Sequence, residues 1–201
     1  ESSPVLTNVT ISGNSANGGP SGGMYNDGLG GESSAVLTNV TISGNSAPYG
    51  GGGMFNRGLA GVSSPVLTNV TISGNSGGGN GGGMYNIGTI GESSPVLLNS
   101  IVWGNTASSG AQIYDDGATP DVSYSDVQGG GYAGAGNIDA DPLFVAPVAA
   151  SSAPTTMGDY RLPPRSPAVD TGTNSGCPAT DLDGQSRPAN AKDDSAAICD
   201  M

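Results

Sequence analysis

In Leu6-Thr7-Asn8-Val9-Thr10-Ile11-Ser12, the apolar Val9 and Ile11 alternate with the hydroxyl-bearing Thr10 and Ser12. A period of two predicts a strand buried on one side, and Thr, Val and Ile are strand formers. Gly13-Asn14 then breaks the run. The pattern returns as SSPVLTNVTISGNSA at Ser2, SSAVLTNVTISGNSA at Ser33, SSPVLTNVTISGNSG at Ser63 and, more loosely, SSPVLLNSIVWGNTA at Ser93, with starts 31, 30 and 30 residues apart. A second apolar block, Gly22-Gly23-Met24-Tyr25-Asn26, recurs at residues 52–56 and 82–86 and degenerately at 111–115. No stretch carries a capped helical periodicity, and 36 glycines in 201 residues argue against helices in the repeats.

Self-similarity at a fixed period near thirty residues predicts a solenoid, whose units bury their apolar faces on one another. Two or three short strands per unit, joined by Gly and Asn corners, make one rung of an all-β parallel β-helix of about five coils. Repeats occupy residues 1–128, and an irregular C-terminal capping region occupies 129–201. Equivalent residues then stack at about 4.8 Å, the spacing of neighbouring strands. The expected core ladders are Val5, Val36, Val66 and Val96; Ile11, Ile42, Ile72 and Val102; and Met24, Met54, Met84 and Ile113.

Three asparagine columns run beside them: Asn8, Asn39, Asn69 and Asn99; Asn14, Asn45, Asn75 and Asn105; and Asn26, Asn56 and Asn86, with Asp115 next in line. Stacked amides bond from rung to rung, and Asn tolerates the left-handed backbone of a corner, so these are read as structural ladders. The Asn-Val-Thr triplets match a glycosylation acceptor pattern but fall inside an expected strand, which argues against that use.

A net charge of -12, with five basic residues and no histidine, excludes nucleic acid and an anionic membrane surface as partners. No run of about 18 apolar residues appears, so membrane insertion is not expected. Glu1 stands in phase with Glu32 and Glu92. An exposed first rung would invite edge association, so upstream coils or self-association are expected to cover it.

From about Thr119 the repeat decays, Pro120 to Val127 still alternating like a fifth rung. Residues 137–201 show no thirty-residue echo. Here Asp141-Pro142-Leu143-Phe144, Gly158-Asp159-Tyr160-Arg161-Leu162, Ser166-Pro167-Ala168-Val169-Asp170-Thr171-Gly172, Asp181-Leu182-Asp183-Gly184-Gln185-Ser186-Arg187-Pro188 and Cys199-Asp200-Met201 follow in order. With the Gly-Gly-Met-Tyr-Asn blocks, they resemble bacterial right-handed β-helix surface proteins, pectin-lyase-like, with a choice-of-anchor Q type C-terminal region. The resemblance covers essentially the whole chain. It implies export and display at the cell surface or release, and it supplies no catalytic residue. It also places Cys177 and Cys199, the only cysteines, in one cap. An even count in a chain of extracellular character predicts a disulfide closing a loop of about 22 residues, worth about 3 kcal/mol.

The expected function is therefore an exported, non-enzymatic structural or adhesive β-helix: a cell-surface stalk, sheath or filament component. The alternative is a carbohydrate-binding or polysaccharide-cleaving domain. Cleavage needs a carboxylate pair or a cation site with a strong base on one face. The outward strand positions hold Thr7, Thr10 and Ser12, then Thr38, Thr41 and Ser43, then Thr68, Thr71 and Ser73 instead, and the single lysine, Lys192, lies in the cap. Tyr25, Phe55, Tyr85 and Tyr114 form a candidate aromatic column for stacking on sugar rings, unless loops such as residues 16–21 fold over it. No cofactor is expected, with calcium as the one candidate: Asp139 with Asp141 and Asp181 with Asp183 place hard oxygens at alternate positions but lack the rest of a calcium loop.

Overall fold

The computed structural model describes residues 2–130, 132–190 and 197–201. Glu1 and Lys192, singled out above, lie outside them. The strands are β1 (Val5–Ser12), β2 (Met24–Asp27), β3 (Val36–Ser43), β4 (Ser46–Ala47), β5 (Met54–Arg57), β6 (Val66–Ser73), β7 (Ser76–Gly77), β8 (Met84–Ile87), β9 (Val96–Leu98), β10 (Ile101–Trp103), β11 (Ile113–Asp116), β12 (Asp121–Ser123) and β13 (Asp126–Val127). All pairings between these strands are parallel and join equivalent repeat positions.

The long sheet runs β1-β3-β6 and continues through β9 and β10 to β12 and β13; a second runs β2-β5-β8-β11; a short third pairs β4 with β7. The molecule is an all-β parallel solenoid of about four turns rather than five. The fifth unit supplies strands to the long sheet only, because no Gly-Gly-Met-Tyr block follows Val127 to build a second-sheet strand.

The core corrects one sequence expectation. Val5, Val36 and Val66 are 72%, 37% and 38% exposed, whereas Leu37, Leu67 and Leu97 are fully buried. The cause lies at Asn8, Asn39, Asn69 and Asn99, which adopt φ of 57°, 53°, 53° and 49°. A left-handed residue within the strand resets its alternation, so Leu37 and Val40, three apart, both face inward. Inside the solenoid the leucine column packs with Val40, Val70, Ile42, Ile72, Val102, Met54, Met84 and Ile113. In the fourth and fifth repeat units the valine position becomes Ser100 and Ser125. Their hydroxyls accept the backbone N–H of Val70 and Ser100, which satisfies the buried oxygens.

Two glycine positions are demanded by geometry. Gly44 ends β3 at φ 58°, and a Cβ on Gly53 would lie 2.6 Å from the carbonyl oxygen of Gly83 on the next rung.

Two amide ladders brace the interior. In the first, Asn14 donates to Asn45, Asn45 to Asn75 and Asn75 to Asn105, at 2.9 to 3.0 Å. It passes on through Gln112 to Gln128. In the second, Asn26 donates to Asn56, Asn56 to Asn86 and Asn86 to Asp115, whose other oxygen accepts from the Tyr132 hydroxyl at 2.5 Å. Tyr132 also packs against the lower end of the core.

Residues 137–190 and 197–201 run back along the outward side of the long sheet. Their main-chain carbonyls take the amides of the third asparagine column: Asn39 donates to Thr180, Asn69 to Asp200 and Asn99 to Thr173. The residues that bend the strands therefore also dock the flank. In that column Asn39 also bonds Asn8 on the neighbouring rung. A second apolar cluster, Ile101 with Phe144, Ala168 and Met201, seals the flank against the sheet. Cys177 and Cys199 are joined in a disulfide with Cα atoms 5.9 Å apart.

Candidate functional site

Between the upper part of the long sheet and this flank lies a groove of ≈ 580 Å³, within the range of ligand-binding clefts. Its floor is the outward register column Thr10, Thr41 and Thr71, with Ser12 and Ser43 beside it. The column continues downward as Ile101 and Asp126. There the apolar Ile101 draws Phe144 onto the sheet, and the groove ends. The hydroxyl array expected to face solvent is thus partly roofed.

One wall carries Asp159 and Arg161, fixed by paired main-chain bonds between Asp159 and Ala146 at 2.9 and 3.0 Å. The groove is lined too by a tight turn from Thr180 to Ser186, which presents Asp181 and Asp183, and by Arg187 and Asp200. Arg161 chelates Asp159 through Nε at 2.9 and 3.1 Å and through its terminal amino group, holding that carboxyl below the usual range. Arg187 lies 4.0 Å from the Asp200 carboxylate. The lining therefore carries four carboxylates against two guanidiniums, a net formal charge of −2. Tyr160 completes the wall, its hydroxyl pKa pushed up by burial.

The four carboxylates singled out as calcium candidates fall in two places. Asp181 and Asp183 line the groove, and Asp181 accepts the Gln185 N–H at 2.8 Å. Asp141 accepts the Leu143 N–H two residues on, as a turn-forming residue does, and Asp139 accepts the Gly129 N–H from ten residues earlier. Among the described residues no three acidic, His or Cys side chains gather as a cation would need. Near Asp139 and Asp141 sits Asp126, fully buried, with Oδ1 accepting the Ala140 N–H at 3.2 Å and Oδ2 without a partner among the described residues. Burial, and then the charges of those two neighbours, push its pKa up to about 7.

The aromatic column exists but is not an open platform. Tyr25, Phe55, Tyr85 and Tyr114 stack edge to face with centroids 4.8 to 5.3 Å apart, so ring faces and edges are engaged with one another. Phe55 is buried, and Gly50 lies against the Tyr85 ring. At its upper end, Arg57 bonds Asp27 and sits 5.7 Å over the Tyr25 ring.

Sequence reasoning reached the groove floor and Asp181 and Asp183 but not Asp159, Arg161, Arg187 or Asp200 as walls. Their order along the chain was visible, yet nothing in it says that the segment turns back along the sheet. Compared with known protein families, with curated proteins and with solved structures, the chain matches none. No helix among the described residues is long and apolar enough to cross a membrane.

Proposed function

We propose that the protein is an exported, non-enzymatic adhesive β-solenoid that holds carbohydrate in the groove over its threonine ladder. The observation that carries this reading is the groove itself: hydroxyls, carboxylates and guanidiniums line a cleft of ligand-site volume on a rigid sheet. Sugars are recognised by such convergent polar groups with apolar contact beside them, here Tyr160, Leu182 and the threonine methyls. The intramolecular disulfide and the surplus of acid suit an oxidising exterior. These features accord with the resemblance to surface-displayed β-helix proteins of the choice-of-anchor Q type.

Binding rather than cleavage is favoured by the pairing of Asp159. Asp159 is locked by Arg161 with its proton affinity lowered, which is the reverse of what a general acid requires. The chain has no histidine to act instead. The test is calorimetric titration with a panel of oligosaccharides, using the native protein and the Thr41→Val/Thr71→Val variant. Binding by the native protein that falls at least about tenfold in the variant supports the reading. Absence of binding, or the release of reducing ends from any polysaccharide, overturns it.

A further inference from the structure

The charge and register of the groove bear on which carbohydrate it takes. Thr10, Thr41 and Thr71 are in-register partners of three consecutive strands, so their hydroxyls repeat at about 4.8 Å along the solenoid axis. Each side chain is β-branched and stiff, and little rotamer freedom remains to be lost on binding. Each offers a methyl and a hydroxyl, matching the C–H face and hydroxyl rim of a pyranose ring. A ladder with a fixed repeat complements a ligand with one.

The walls supply the discrimination. Both groove arginines are engaged by groove carboxylates, Arg161 by Asp159 and Arg187 by Asp200. Asp181 and Asp183 line the same groove as the Arg161–Asp159 pair, and Asp183 is near enough to add to the field at Arg161. An acidic sugar entering here meets a lining with two more carboxylates than guanidiniums, each guanidinium already paired with a carboxylate, and the protein's net charge of -12 repels it from farther away.

Resting on the groove's reading as a carbohydrate site, we infer that it selects an uncharged glycan in extended form, laid along the threonine column, and rejects polyuronates through Asp181 and Asp183. These two acids are specificity residues. Neither is needed to contact the neutral ligand.

The test is titration with cellohexaose, mannohexaose, xylohexaose and hexagalacturonate at low ionic strength. The native protein and an Asp181→Asn/Asp183→Asn variant are compared, with the melting temperature as the folding control. The Asp181→Asn change keeps a side-chain oxygen to accept the Gln185 N–H, so the turn is preserved. At least one neutral hexasaccharide is expected to bind at least about tenfold more tightly than hexagalacturonate, a gap that like-charge juxtaposition accounts for. In the variant that gap closes to roughly threefold or less, with the neutral affinity little changed. Hexagalacturonate binding as tightly as the neutral sugars, or a gap the variant leaves intact, overturns this inference while the groove remains a carbohydrate site. Failure of all four to bind, or neutral binding that survives Thr41→Val/Thr71→Val, overturns the site itself.

Discussion

Thr71 and Ile101 are register partners on neighbouring strands of the long sheet and both line the groove, but Ile101 is only 1% exposed, packed at the groove's end against Phe144 and Met201. The change from threonine to isoleucine after Thr10, Thr41 and Thr71 thus marks where the groove stops and the packed seam begins. Replacing Ile101 by Thr removes apolar contact with Phe144 and Met201 and buries a hydroxyl. The expected loss is about 2 to 4 kcal/mol. Urea unfolding monitored at the single tryptophan, Trp103, reports it, since Trp103 packs on the same cluster. A loss below about 0.5 kcal/mol would mean the seam does not hold the flank.

The first amide ladder has a weak end and a strong middle. Asn75 accepts from both the main chain and side chain of Asn45 and donates to Asn105 and to the carbonyl of Ile42, all in a buried setting. Asn75→Ala strands several of these partners and is expected to cost at least about 3 kcal/mol. Asn14→Ala, at the exposed end, is expected to cost at most about 1 kcal/mol. Equal effects in denaturant unfolding would argue against a ladder whose strength comes from burial.

Asp126 makes stability depend on pH. The folded protein keeps a proton on this carboxyl up to about pH 7, while the unfolded chain loses it near 3.8. The native state therefore binds more protons across that interval, and stability falls as pH rises through it, by at most about 1.4 kcal/mol per unit, levelling off above 7. Melting temperatures between pH 5 and 8 should decline in the native protein relative to Asp126→Asn, which retains the oxygen that accepts the Ala140 N–H. Parallel pH profiles for the two proteins would show that the carboxyl ionises normally.

The Cys177–Cys199 bridge spans a sequence separation of 22 within the flank. Cys199 is fully buried, and its carbonyl accepts from Gly172 at 2.8 Å. Replacing both cysteines by alanine should lower unfolding stability by about 3 kcal/mol. A change below about 1 kcal/mol would show that the docking of Asn39, Asn69 and Asn99 constrains this segment without the bridge.

Much of this architecture was legible because a solenoid translates sequence repetition directly into stacking. Ile42 above Ile72, Met54 above Met84 and Asn45 above Asn75 needed only the period. The inward leucine column escaped because alternation was counted straight through Asn39, as though the strand were regular. The column of left-handed asparagines, continued by Tyr124 at φ 47° in the fifth unit, breaks that count.

What the chain determined by itself is what its repeats encode locally: parallel rungs, their register, the amide ladders and the hydroxyl column. Each depends on residues one period apart that the strand geometry places in contact whatever else happens. The groove depends on the non-repeating flank, and its docking joins Asn39 to Thr180 and Asn69 to Asp200 across 141 and 131 residues. No periodicity encodes such pairs. They form because the left-handed asparagines leave amide donors that the main chain of the flank satisfies, and because Ile101 offers an apolar foothold where its neighbours in the column are Thr71 and Asp126.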